Sequence, residues 1–379
     1  MSTKNQILLH ETLLPVKATT ASISCFASTL IAIMIVRSRN GLKSPYSRII
    51  FGLSIADIIQ SASIISSPFA APNDTLDAPW AKGTIGTCEV AGFFLQVGGT
   101  AVPFYTLFLS YYFLKRVKDK ITPQAFASKY EFKIHALIWL FPIIGGFVAL
   151  ARKDFNPTMG GSLFVAIDNH VDCSTYPDTH GTCIRGQNAN TYTAIIISVP
   201  GVLNFLLLVA NLVRLTMHVH SQEKLISADI DANEGHQTAI LCCCKKKQPD
   251  LQQNEEKSAR TQSLAMQSLV QSSLYIFAYF LTYSYPLLHI AMRAAGINHP
   301  PWMIMLGSIF WPLGGFFNIL IYARPKVSAV RAMRPEHAHS SWFTIFLLVV
   351  ISGGEEVPTD NNFEDEKSSH DEVLVPDNA

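Results

Sequence analysis

The chain has 379 residues, of which 49% are hydrophobic and only 15% charged, with a net charge of +1. Soluble proteins carry roughly 25% charged residues, so this composition excludes an ordinary soluble domain, and the near-zero net charge gives no basis for a nucleic-acid partner. Charge drops out of long blocks and returns in short runs between them, as in a polytopic membrane protein.

The first 15 or so residues are mostly polar and lack a basic-apolar-small cleavage pattern, so no removable signal peptide is expected. Seven blocks then reach the roughly 20 apolar residues that a crossing helix needs. They span 18–36, 49–71, 90–114, 134–151, 191–213, 270–292 and 301–322. Lys and Arg set their direction. With the N-terminus outside, the inner segments hold Arg37, Arg39, Lys43 and Arg48, then Lys115 to Lys133, then Arg214 to Arg260, then Arg324 to Lys367. Only Lys4, Lys17, Lys82, Arg152, Lys153, Arg185 and Arg293 fall outside. The alternation holds loop by loop, and a missed or invented span would break it. The expected fold class is therefore an all-α membrane protein, a seven-transmembrane helix bundle with a short interfacial helix after the seventh span. The expected localisation is the plasma membrane, N-terminus outside and C-terminus cytoplasmic.

The outward loop after the second span carries Asn73-Asp-Thr75, a glycosylation acceptor. Seven cysteines cannot all pair with one another. Cys88 stands at the outer end of the third span, and Cys173 and Cys183 lie in the outer loop before the fifth. His170-x-x-Cys173 and His180-x-x-Cys183 have a zinc-like spacing. Thiols outside the cell oxidise, however, and a disulfide from Cys88 is the stronger reading. Cys183 is the first choice of partner because it lies nearer the fifth span, with Cys173 as the alternative. Residues 214–265 form a polar inner segment expected to be a disordered loop. Within it, Cys242, Cys243 and Cys244 precede three lysines. They read either as solvated reduced thiols or as S-acylation sites beside a basic patch that pins the loop to an anionic leaflet.

Beyond the seventh span, Val327, Val330 and Met333 recur at helical spacing among basic residues, the pattern of an amphipathic interfacial helix. The apolar segment 342–351 would be about 15 Å long as a helix, too short to cross. The resulting division is an outer N-terminus over 1–17, the bundle over 18–323, an interfacial and apolar segment over 324–351, and an acidic unstructured tail over 352–379.

Asp57 is the only acidic residue inside these seven blocks. A buried intramembrane carboxylate is costly and is by default a functional site. It lies nine residues beyond Arg48, about 13 Å in from the inner side, and Asn318 lies six residues before Arg324, about 9 Å from that side. Side chains and one water can join them if the second and seventh spans are neighbours. Tyr322 shares the face of Asn318, one turn nearer the cytoplasm.

A seven-span, outside-in chain with Leu-x-x-Ala-Asp57 in the second span and Cys88 atop the third resembles the rhodopsin-like G-protein-coupled receptors. Asn318-Ile-Leu-Ile-Tyr322 is similar to their Asn-Pro-x-x-Tyr motif, and Trp139, Pro200 and Pro286 match their helix landmarks. Gly314 to Lys326 is closer still to the cyclic-AMP-receptor-like receptors, whose Gly-Phe-x-Asn helix ends in Tyr-x-Arg-Pro. The resemblance covers about 18–326 except the long inner loop. It implies an activation switch of Asp57, Asn318, Tyr322 and Pro286, an extracellular ligand, and a heterotrimeric G protein as partner. The chain departs from the pattern at several places, among them Tyr283-Ser-Tyr-Pro286, which lacks the usual Trp. Ile319 replaces the motif proline, the first span offers Ser28 or Thr29 instead of Asn, and no Asp-Arg-Tyr closes the third span. Val102 and Gly314 also stand near positions that are polar in the family.

Residues 301–323 hold no Lys for a retinal Schiff base, so neither an opsin nor a light-driven pump is expected. His289 has no second ligand at its depth, which argues against a membrane metallohydrolase. No enzyme activity, cofactor or metal is expected. Among ligand contacts, His289 and Arg293 are placed to meet an anion and Gln96 and Tyr285 to line a pocket, against packing or solvated roles for each. The rival class is a secondary transporter, with Gly98-Gly99, Gly145-Gly146 and Gly314-Gly315 as helix breaks.

Overall fold

The computed structural model describes residues 3–73, 75, 80–157, 163–165, 186, 189–240, 249–294, 297, 300–333 and 340–351. The side chains of 3–11, 225–240, 249–265, 289–290 and 293–294 are among those outside the description. The described residues are almost wholly helical. In order come α1 (Thr3–Arg37), α2 (Pro45–Ala70), α3 (Ile85–Lys118), α4 (Pro123–Phe126) and α5 (Phe132–Ala151). A hairpin of β1 (Phe155–Pro157) and β2 (Leu163–Val165) precedes α6 (Ala189–Tyr192), α7 (Val199–Ile240) and α8 (Pro249–Ala294). The last helices are α9 (Pro301–Phe310), α10 (Gly314–Met333) and α11 (Trp342–Ile351).

Local chemistry places the helix starts. Ser44 caps α2 by accepting the Ser47 amide at 3.1 Å, with Pro45 in the first turn. Thr84 and Thr87 exchange side-chain and backbone hydrogen bonds at the start of α3. π-helical turns at Ala127–Glu131 and Thr193–Ser198 lead into α5 and α7. The strands pair antiparallel, with Phe155 opposite Val165, and the Phe155 ring lies over Gly92 near the start of α3.

Helix α3 lies at the centre and touches α2, α5, α7 and α8, while α10 packs on α1, α2 and α8. The polarity is inverted relative to a soluble bundle. Ser24, Ser28, Ser54, Asp57, Gln60, Ser61 and Ser67 are buried, whereas Phe26, Leu140, Phe147, Leu203, Leu206 and Phe277 face outward. Water does not tolerate apolar surface on that scale, and a bilayer does. Close helix approach needs small residues. At Gly98 an added Cβ would stand 2.6 Å from the Gln60 backbone nitrogen, so α2 and α3 meet without an intervening side chain.

Among the described residues, six stretches are long and apolar enough to cross a membrane: Thr12–Arg37, Pro45–Ala70, Ile85–Lys118, Pro123–Ala151, Thr193–Gln222 and Trp302–Ala332. The remaining member of the seven-helix bundle is the C-terminal half of α8. Tyr275, Tyr279 and Tyr283, spaced one turn apart, point inward, while Phe277 and Phe280 point out.

The ends differ from the sequence expectation. In place of a structureless loop over 214–265, α7 runs to Ile240 and α8 begins at Pro249. The Gln, Lys, Glu, Ala and Leu of this segment are good helix formers, and Pro249 occupies a first-turn position where the missing N–H costs nothing. The Cys242–Cys243–Cys244 run lies outside the described residues, as does the tail from 352 onward. Nor does the chain turn at Arg324-Pro325-Lys326. α10 continues through Pro325 to Met333, and α11 is the short helix after the bundle. Ile345 and Val349 of α11 are buried in the same core cluster as Val327 and Val330 of α10.

Candidate functional site

Asp57 and Asn318 meet directly, without the bridging water that the depth arithmetic allows. Asn318 Nδ2 donates to Asp57 Oδ2 at 2.7 Å, joining α10 to α2. The same oxygen accepts from Ser28 Oγ of α1 at 3.4 Å. Thr29 turns away and bonds the Cys25 carbonyl, so Ser28 is the α1 contributor. Asp57 is 2% exposed and Asn318 9%.

The two glycines at the start of α10 explain how the helices come this close. A Cβ on Gly314 would lie 3.1 Å from Asp57 Oδ1, and one on Gly315 would collide with Ser28 Oγ. Gly315 N also donates to Ser24 Oγ at 2.8 Å. Just before them, Trp311–Leu313 tightens into a 3-10 turn containing Pro312. A small cavity beside Asn318 is lined by Val102, Thr106, Tyr275, Tyr279, Thr282, Tyr283 and Gly314, among others. Val102 and Gly314, two departures from the family pattern, thus both border it.

One turn beyond Asn318, Tyr322 is buried, and Lys326 Nζ donates to its hydroxyl at 3.0 Å while lying 4.5 Å over its ring. The Tyr46 hydroxyl of α2 faces those of Tyr275 and Tyr322. Higher in α8, the Tyr283 hydroxyl donates to Gln60 Oε1 at 3.3 Å, and Tyr279 and Tyr283 stack at 4.8 Å. This tyrosine column is a feature that sequence reasoning missed, although a tyrosine at every fourth position from 275 to 283 was its visible signal. Pro286 lies half-buried in the interior of α8, where its ring leaves the Thr282 carbonyl without a helical partner.

A second polar group clamps α2, α3 and α5. Arg48 makes a two-pronged contact with Glu131, at 2.5 and 2.7 Å. His135 Nδ1 lies 2.8 Å from the Tyr105 hydroxyl, which also accepts from Trp139 Nε1 at 2.9 Å. Glu131 lies just before the fourth block as read from the sequence, and the π-helical turn brings it inside.

At the opposite end, Gln96 is 1% exposed and donates to Thr100 Oγ1 at 3.1 Å, leaving its Oε1 without a partner. Tyr285 stacks on Phe310 of α9 at 5.8 Å. No contact brings Gln96 and Tyr285 together, and the side chains of His289 and Arg293 lie outside the described residues. Cys88 is buried, with Sγ 3.7 Å from the Phe155 carbonyl, whereas Cys173 and Cys183 lie outside the description. Asn73 is exposed in the turn between α2 and α3. Asp154, under the hairpin, is 1% exposed, with Arg152 Nε 3.4 Å away. Burial pushes its carboxyl above the usual range and Arg152 opposes that. Among the described residues, no cluster of His, Cys, Asp or Glu has the arrangement of a metal site.

No family model matches the sequence. No curated protein matches it significantly. Among solved structures the chain is similar to squid rhodopsin, with a TM-score of 0.54 at 14% sequence identity, covering 98% of this chain and 93% of that one. The chain is a multi-pass membrane protein with the rhodopsin-like helix-bundle fold.

Proposed function

We propose that this chain is a G-protein-coupled receptor, not an enzyme, which binds an extracellular ligand and signals through its basic end to a heterotrimeric G protein. The observation that carries the reading is the buried Asn318–Asp57 hydrogen bond between α10 and α2 within a rhodopsin-like bundle, with Tyr322 one turn further along. Ligand binding at the Gln96 end shifts the population between two helix arrangements. Asp57, Asn318, Tyr322 and Pro286 are the switch, and Tyr322 leaves its buried site in the signalling arrangement. The N-terminus is outside the plasma membrane, Asn73 is glycosylated, Cys88 pairs with Cys183, and Cys242, Cys243 and Cys244 are acylated.

The transporter reading has less support. Helices α3 and α5 run unbroken through Gly98-Gly99 and Gly145-Gly146, and Gly98 and Gly146 serve close packing against Gln60 and Phe93.

A ligand screen on the expressed protein, read as nucleotide exchange on added heterotrimeric G protein, is expected to find a stimulating compound. Epitope tags at the two termini are expected on opposite faces of the cell. Substrate flux into vesicles without any exchange activity, or both tags on one face, would overturn the reading.

A further inference from the structure

The last turn of α3 carries three cations, Lys115, Arg116 and Lys118. Lys115 pairs with Asp119 on its own chain segment at 2.6 Å, and Arg116 donates to the Ile121 carbonyl at 3.3 Å. Among the described residues no ion pair joins α3 to α8. The inner third of α8 is instead tied to α2, where Gln271 Nε2 donates to the Tyr46 hydroxyl at 2.6 Å. Tyr46 is held for this contact. Its ring lies 6.4 Å from that of Tyr112 and 6.0 Å from that of Phe113, both on α3.

Around this contact the seam between α3 and α8 is poorly satisfied. Ser110 Oγ of α3 and Ser272 Oγ of α8 are buried without a hydrogen bond. Buried orphan groups penalise the arrangement that buries them, and entry of water on opening relieves the penalty. A closed seam with such groups inside depends on the contacts at its edge. We infer that Tyr46 and Gln271 form a latch that holds the basic end of α8 closed against α2. The latch itself rests on geometry alone, and only its effect on signalling rests on the receptor reading above.

The test is amide hydrogen exchange of the full-length protein in lipid nanodiscs, with nucleotide exchange on added G protein measured on the same samples. Loss of one hydrogen bond of this kind favours the open arrangement by about fivefold. Tyr46→Phe and Gln271→Leu are each expected to speed exchange over residues 266–275 by about that factor. The double variant should go no further than Tyr46→Phe alone, because that variant already lacks the acceptor of the Gln271 bond. Faster amide exchange with raised ligand-free nucleotide exchange supports the latch and its control of signalling. Faster amide exchange alone supports the latch and counts against the receptor reading. Native amide exchange in both folded single variants, or additive effects in the double one, would overturn the latch.

Discussion

Asp57→Ala is expected to produce one of the two largest losses of any single substitution in this bundle. It removes the acceptor for two buried donors at once, Asn318 Nδ2 and Ser28 Oγ. Each stranded buried donor costs about 1–3 kcal/mol. The Asn318 bond is short, and the Ser28 bond, at 3.4 Å, is near the limit of a real one. The loss should therefore lie near the cost of one full bond, about 2 kcal/mol. Asn318→Ala removes one donor and leaves Ser28 paired, so its cost should be smaller. The two substitutions should be strongly non-additive, because either one removes the same α2–α10 bond. Unfolding of the purified variants in detergent measures the stability part. The signalling part is read on a ligand found by the screen, as a shift of at least about tenfold in half-maximal concentration, the equivalent of about 1.4 kcal/mol. Asp57→Asn keeps an acceptor oxygen and should recover most of the stability but less of the signalling. Wild-type unfolding and wild-type dose-response in both Ala variants would remove Asp57 and Asn318 from the switch.

This bond is legible in the sequence because each partner is an anomaly. A carboxylate and an amide in apolar helices stand out, and a rise of 1.5 Å per residue puts them at similar depths. The Gly314-Gly315 pair next to Asn318 reads as a possible helix break, yet its effect is to let α10 approach Asp57 and Ser28. The crossing helices are legible for a related reason, since the bilayer demands about 20 apolar residues and sorts Lys and Arg. What the sequence hides are contacts between residues that look ordinary. Arg48 and Glu131 are separated by 83 positions, and each reads as a solvated charge at a helix end. A regular helical period gives no hint that a π-helical turn directs Glu131 inward. Tyr46 and Gln271, 225 positions apart, are hidden in the same way. The helical extensions over 214–240 and 249–265 escape notice because polar composition reads as loop, although most of those residues favour helix.

Glu131→Ala is the other substitution expected to have a large effect, and its consequence is one of assembly rather than switching. Arg48 uses its fork fully. Nε and Nη2 meet the two Glu131 oxygens, while Nη1 donates to the carbonyls of Leu42 and Lys43, each at 2.7 Å. One guanidinium thus fixes the turn before α2, the first turns of α2 and the π-helical turn before α5. The Glu131 side chain is 9% exposed and that of Arg48 32%. Breaking a fully buried pair costs about 3–5 kcal/mol. Here water reaches the stranded guanidinium, so the cost should fall near 2–3 kcal/mol, below that range. Glu131→Gln keeps one acceptor and the shape, and should lose roughly half as much. Arg48→Lys supplies the charge without the fork and should restore little over Arg48→Ala, because an ammonium cannot reach both carboxylate oxygens and two carbonyls in that geometry. Added salt should change these differences only slightly, since Glu131 is shielded from solvent. If Glu131→Ala and Arg48→Ala each unfold at the native midpoint, the pair is ornamental and the inner ends of α2 and α5 are held by apolar packing alone. If Glu131→Ala raises ligand-free nucleotide exchange as much as Gln271→Leu does, the division between a fixed α2–α3–α5 side and a releasable α8 is wrong.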